Sequence, residues 1–193
     1  SFAGHPLIVG GQVIGVMAMF ARKPLAENTL NAIAAAANAI AVGIMRQRTE
    51  DQLRASSERI RAIVDTAADG IITIDERGLV TGWNPQAEHI FGWRADEVIG
   101  QSLTTTIIPP RYREGHERGL RRYAETGTGP VLNKRIEITA LDRTGREFPV
   151  ELAITPMHLD GQTIFSAFLR DITERKQAED ELRRTQAAAE SAN

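Results

Sequence analysis

Between Leu25 and Ala67, apolar residues recur three and four apart, first as Leu30, Ile33, Ala37, Ile40 and Ile44, then as Leu53, Ser56, Ile60, Ile63 and Ala67. That is the spacing of a helix with an apolar face. Unbroken, this stretch of 43 residues reaches about 65 Å at 1.5 Å per residue, longer than a small domain is wide. The step from Ile44 to Leu53 turns the second stripe to nearly the opposite side of the first. The helix therefore either changes its packing partner there or breaks near Ser56 and Ser57. A chain of 193 residues containing such an element reads as folded material on either side of a linker helix.

Residues 28 to 45, NTLNAIAAAANAIAVGIM, carry no charge, and Arg46 and Arg48 follow them. This is the minimum for a membrane span with basic flanks. The three asparagines and the excess of alanine over leucine argue instead for a helix buried against a sheet or in a dimer. The wider composition, 42% hydrophobic and 25% charged with a net charge of −2, is that of a soluble globular protein and gives no sign of a nucleic-acid partner. With no cysteine in the chain, disulfides, thiolate metal sites and thiol nucleophiles are excluded, which fits a reducing compartment. The opening SFAGHPLIVGG, without a methionine or signal peptide, reads as an excerpt from something longer.

Residues 7 to 20 are two apolar runs about Gly10 and Gly11, a hairpin signal. After Gly70 the pattern becomes that of strands: GIITIDERG and LVTGW form a hairpin about Asp75 to Gly78, and Asn84 before Pro85 predicts a helix N-cap with proline in the first turn. Short helices follow. RYREGHERGLRRY, residues 111 to 123, predicts a helix with Tyr112, His116, Leu120 and Tyr123 on one inward face and its five arginines to the sides and back. It ends at the glycines of ETGTGP. Three strands are expected at 132 to 141, 146 to 157 and 162 to 170; in the second, Phe148, Val150, Leu152 and Ile154 alternate with their neighbours as in a sheet with one covered face. This is an α+β domain. Asp171 and Glu174 have capping-box spacing, and Ala178, Leu182, Thr185, Ala189 and Ala192 form a weak heptad seam after it.

The order GIITIDERGLVTGWNPQAEHIFGW, RYREGHERGLRRY, DRTGREFPVELAIT, FLRDITERKQAEDELRR resembles the PAS domain of bacterial sensor proteins, including the DIT motif at Asp171, Ile172 and Thr173. The resemblance runs from about residue 56 to 175. It implies a five-stranded antiparallel sheet with short helices over one face and a pocket between them. FAGHPLIVGGQVIGVMAMFARKPL and the alanine-rich helix after it are similar to the C-terminal end of a GAF domain. TQAAAESAN resembles the approach to the dimerisation and phosphoacceptor domain of a sensor histidine kinase. The resulting boundaries are 1–24 for the GAF remnant, 25–55 for the linker helix, 56–173 for the PAS domain and 174–193 for the output coiled-coil helix.

No histidine has the company of a catalytic one. His116 and Glu117 begin like a phosphoacceptor motif, but Arg118, Gly119 and Leu120 follow in place of arginine, threonine and proline. With no nucleotide loop, metal-spaced carboxylate cluster or serine and base pair, the segment is not expected to be an enzyme. His5 and His158 are expected near strand ends or turns. In the haem-binding oxygen sensors of the PAS family the proximal iron ligand sits on the helix that bears His116, so the resemblance makes haem a candidate cofactor; the chemistry requires a neutral imidazole at an apolar pocket with its other nitrogen held. Those sensors hold oxygen with an arginine on the next strand, where this chain has Ile136, with Arg135 adjacent. The alternative is a core histidine packed beside Tyr112 and Tyr123, with a small molecule or nothing in the pocket. Flavin is the weaker candidate: Trp83 alone suggests it, and the missing cysteine excludes a flavin–cysteine adduct. Trp83, Phe91, Trp93 and Phe148 read as core.

The pocket is expected to include Tyr112, Leu120, Tyr123 and Ile136, with Asp171, Ile172, Thr173 and Glu174 passing a signal from sheet to helix. The resemblance implies the sensory segment of a cytoplasmic two-component histidine kinase, a parallel homodimer acting on a kinase domain in the same polypeptide. Other readings are a PAS module of a cyclic-dinucleotide enzyme and a dimerisation adaptor.

Overall fold

The computed structural model describes residues 2–159 and 161–191. The chain divides into two compact units, one up to Arg61 and the other from Ala62.

In the first unit, strands β1 (Phe2–Val9) and β2 (Gln12–Phe20) form an antiparallel hairpin. Its turn residues Gly10 and Gly11 have φ of 57° and 81°, the left-handed conformation that selects glycine at both central positions of a two-residue turn. Helix α1 (Glu27–Asp65) follows and does not break at Ser56 and Ser57. Within this unit, fully buried Ala37 and Ala41 pack with Leu7, ringed by Val9, Ile14, Met17 and Ile44. Side chains this short let the helix backbone approach the hairpin closely, which accounts for alanine at positions 37 and 41. The second apolar stripe is left uncovered: Leu53 and Ile60 are 68% and 61% exposed. By length and composition alone α1 is apolar enough to cross a membrane, with mean hydropathy 1.4 over its most apolar window. His5 sits half-buried within β1 rather than at a strand end.

The second unit is built on five antiparallel strands in the order β4-β3-β7-β6-β5: β3 (Gly70–Asp75), β4 (Val80–Trp83), β5 (Arg135–Leu141), β6 (Glu147–Leu159) and β7 (Gln162–Asp171). Between β4 and β5 run α2 (Pro85–Phe91), α3 (Ala95–Val98), α4 (Leu103–Thr106) and α5 (Pro110–Thr126); α6 (Thr173–Ser191) leaves β7. The β3–β4 and β5–β6 hairpins close in the same way. Asp75 accepts from the backbone N–H groups of Arg77 and Leu79, Asp142 accepts from those of Thr144 and Arg146, and Gly78 and Gly145 take φ of 79° and 83°. At the second turn burial opposes the charge, but bonds from Thr144 and Arg146 hold the Asp142 carboxyl at a pKa of about 2.

The alternation in β6 places Phe148, Val150 and Leu152 on the helix-covered face, joined by Ile72, Ile74, Phe165 and Leu169. Phe91 is fully buried, its ring centre 5.5 Å from that of Trp83 and 5.7 Å from that of Phe148. Trp93 packs against this core and Arg143 covers its ring at 5.0 Å. Asn84 caps α2 by accepting from the Ala87 N–H at 2.9 Å, as the Asn-Pro pair predicts. Its side chain, 2% exposed, also accepts from the Ile71 N–H and donates to the carbonyls of Val64 and Asp69.

Candidate functional site

Between α5 and the sheet lies a cavity of about 520 Å³. β3, β5, β6 and β7 contribute its deep wall, which is aliphatic and aromatic apart from Thr139: Ile72, Ile138, Leu152, Ile154 and Phe165 are representative. An ionised group against that wall would lose its hydration with nothing to replace it, so the wall accepts apolar matter. α5 forms the opposite side with Tyr112, His116, Leu120 and Tyr123.

The predicted face of α5 is thus present, but graded along the helix. Tyr123, near the C-terminal end, is buried and packs edge-on against Phe165 at 4.9 Å. Leu120 and His116 are half-buried. Tyr112 borders the cavity but is 48% exposed and lies under the Arg111 guanidinium at 4.6 Å, so it does not point into the core as the helical spacing predicts. Ile136 lines the cavity, while its neighbour Arg135 pairs with Glu151 at 3.1 Å.

His116 Nδ1 lies 3.1 Å from the Thr104 hydroxyl, a buried group on α4. Burial pushes the imidazole pKa below its ordinary value of 6.5, and the Glu117 charge opposes this. A neutral ring that donates Nδ1–H to Thr104 keeps its lone pair on Nε2, which has no hydrogen-bond partner among the described residues. Sequence reasoning missed Thr104, because a contact between neighbouring helices leaves no spacing signature.

At the exit from the sheet, Asp171 Oδ1 accepts from both the backbone N–H and the hydroxyl of Thr173. Ile172 is buried, its N–H donates to the Pro149 carbonyl and its carbonyl accepts from the Lys176 N–H. Ile172 is therefore the residue that caps α6. This departs from the capping box expected of Asp171 and Glu174: Asp171 stands one position before the cap, and Glu174 is exposed without a hydrogen bond to the cap backbone among the described residues. α6 is instead tied back to the sheet through charge. Arg175 reaches Glu137 at 2.7 Å and Glu151 at 3.1 Å, and Lys176 also reaches Glu137. At the domain entrance Asp69 pairs with Arg170 of β7 at 2.7 Å. The seam position Ala192 lies outside the described residues, as does the side chain of Ala189.

His158 is exposed near the end of β6, with Nδ1 3.2 Å from the Thr163 hydroxyl. No group of three or more histidine, aspartate or glutamate side chains among the described residues is placed to hold a metal ion.

Comparison with known proteins agrees with this architecture. The model of the PAS fold matches residues 58–172. The chain is 31% identical over 141 residues to the sensor protein FixL of Bradyrhizobium diazoefficiens, which covers 73% of this chain and 28% of that protein. It is 32% identical over 179 residues to the cell-division control histidine kinase PdhS of Brucella anthropi, 91% of this chain and 16% of that protein. The chain therefore spans less than a third of these relatives. Among solved structures, the PAS domain of an HTR-like protein from Haloarcula marismortui superposes with a TM-score of 0.54 at 25% identity, covering 65% of this chain and 99% of that one. A sheet of this strand order, a cavity under α5 and a family match over more than half of the chain lead to one conclusion: the chain belongs to the PAS family and is homologous to the PAS regions of sensor histidine kinases.

Proposed function

We propose that this chain is the sensory segment of a cytoplasmic two-component sensor histidine kinase, reading a ligand in the cavity and passing the change through Asp171, Ile172 and Thr173 to α6. The observation that supports this reading is the double role of β7. Phe165, Ala167 and Leu169 of that strand line the cavity, and the strand ends at Asp171. A ligand that displaces the wall also displaces the start of α6, because the bonds from Asp171 and the ion pairs of Arg175 leave little slack between them. On this reading the segment works as a parallel dimer through α1 and α6, and the β1–β2 hairpin with the start of α1 is the end of a GAF domain. The homologous histidine kinases support a kinase domain in the same polypeptide. The test is phosphate incorporation from ATP by the protein that carries this segment. Incorporation that changes with Asp171→Ala supports the reading; no incorporation refutes the kinase, and incorporation indifferent to the substitution refutes the coupling.

His116 favours a second reading, in which the cavity holds haem. The cavity volume of about 520 Å³, the neutral imidazole on its border and the Thr104 hydroxyl at Nδ1 fit that group. His116 would hold the iron, Thr104 would fix the ring, and haem would supply a gas- or redox-responsive centre. Ile136, standing where the oxygen sensors of the family carry an arginine, supplies no hydrogen bond to a bound gas. A Soret band in the chain expressed with haem precursor, lost in His116→Ala, supports haem; its absence from both folded proteins refutes it.

A further inference from the structure

The cavity does not end at α5. A second depression of about 460 Å³ adjoins it and is lined by Arg118, Arg121, Arg122 and Glu125. Gly115, Gly119 and Pro130 border both spaces, as does Arg118. An apolar chamber thus opens beside a cleft lined by three arginines and one glutamate. Two of the three are engaged by their own helix: Arg118 with Glu114 at 2.6 Å, and Arg121 more loosely with Glu117 at 3.9 Å. Arg122 has no side-chain partner among the described residues.

Gly115 and Gly119 stand one turn apart inside a 17-residue helix. Each costs roughly 0.5–1 kcal/mol relative to alanine at a helix interior position. Neither has positive φ, and a Cβ added at either meets nothing within 4 Å. No packing within the protein accounts for them. They leave bare helix backbone along the boundary between chamber and cleft, the space through which an extended molecule would pass from one to the other.

We propose that chamber and cleft together take one amphipathic molecule, a medium-chain aliphatic carboxylate, with its chain in the cavity, its neck across Gly115 and Gly119, and its carboxylate on Arg122. This deepens the sensory reading and rests on it. The deep wall excludes a charged group, so the head must stay on the α5 side, where the planar fork of an arginine matches a carboxylate. Glu125 in the cleft and Glu114 at the cavity border disfavour a doubly charged head. At a liquid water's share of ~30 Å³, the cavity has room for roughly 17 water-sized groups; a chain of about ten carbons occupies much of it and displaces that water.

The test uses the 193-residue chain, sodium decanoate below its micelle concentration, and 1-decanol as the uncharged control, with binding followed by calorimetry and isoleucine methyl resonances. Decanoate is expected to shift the methyls of Ile72, Ile138 and Ile154 and to leave Ile60 in place. Arg122→Gln is expected to weaken decanoate about fivefold, the range of an exposed charge pair, without affecting decanol. Gly119→Leu, which strengthens the helix while filling the passage, is expected to abolish binding of both. Shifted lining methyls with equal decanoate affinity in Arg122→Gln and Arg118→Gln/Arg122→Gln would overturn the carboxylate seat and leave the cavity as the sensory site. Lining methyls left unshifted by decanoate would overturn the proposal, while the sensory reading stands or falls separately by phosphate incorporation. Binding of haemin but not decanoate overturns the proposal in favour of haem.

Discussion

Replacing Asn84 by alanine should be among the most damaging single polar substitutions in the second unit, and its cost can be worked bond by bond. The side chain accepts from Ala87 and Ile71 at 2.9 and 2.8 Å and donates to Val64 and Asp69 at 3.0 and 3.1 Å. Loss of the cap costs about 1 kcal/mol. The Ile71 N–H, stranded at a site where the side chain is 2% exposed, costs about 1–3 kcal/mol. Each abandoned carbonyl forfeits roughly 0.5–1.5 kcal/mol, less where water reaches it. The sum is about 3–7 kcal/mol, a large part of the ~5–15 kcal/mol of an ordinary domain. Urea unfolding followed by tryptophan fluorescence should show a midpoint lowered by about 2 M at an unchanged slope. Asn84→Ser, which restores only the cap bond, should recover about 1 kcal/mol. Hydrogen exchange at the end of α1 should quicken in both variants, since both lose the bond to Val64. A loss below about 1 kcal/mol for Asn84→Ala would show that these four bonds do not hold the domain entrance.

His116 is held neutral by burial, so the unfolded chain binds more protons than the folded one just below pH 6.5. Stability should fall as pH drops from 6.5 toward the lower folded value, and more steeply than in His116→Gln; parallel urea midpoints of the two proteins between pH 7.5 and 5.5 would contradict this. Arg175→Ala and Glu137→Ala should each speed amide exchange in the first turn of α6 while leaving the global urea midpoint in place, and 1 M salt should produce the same change in the unaltered protein, because the pair is nearly half exposed. Unaltered exchange in either variant would remove these residues from the junction. Gly115→Ala should stabilise the ligand-free chain by about 0.5–1 kcal/mol in thermal or urea unfolding; a loss of stability would mean that the open space beside it is in fact packed.

Most of the sheet is legible in the sequence because its signals are local. The alternation of Phe148, Val150, Leu152 and Ile154 reports one covered face, Asp75 to Gly78 closes a hairpin within four residues, and Asn84 before Pro85 starts a helix. The strand starting at Arg135 begins three residues later than expected because Leu132 makes only an isolated bridge to Ile154. The site is less legible. His116 and Ile136 could be assigned to the pocket from helical spacing and strand counting, but Tyr112 follows the same spacing and is nevertheless half exposed, because α5 meets solvent at its first turn. Thr104, three of the four partners of Asn84 (Ile71, Val64 and Asp69) and the Arg175–Glu137 contact join segments 12 to 38 residues apart, where no periodicity relates them. At Asp171 the local pattern misled: a short-range cap was expected of Glu174, whereas the backbone bond between Ile172 and Pro149 moves the cap by one residue.

The chain enters the sheet of the PAS domain at Gly70 and leaves it after Asp171, and these ends lie on adjacent strands: Gly70 is paired with Leu169, and Asp69 with Arg170. Entry and exit side by side make the domain a cassette. A helix interrupted by it can resume close to where it stopped, so such a unit can be inserted, duplicated in tandem or deleted without forcing the flanking segments apart. The same adjacency means that a disturbance arriving through the residues before Gly70 has only one hydrogen-bonded strand to cross to reach Asp171. On the proposed sensory reading, inputs from upstream and from the cavity converge on β7, where they add as mechanical loads on a single strand.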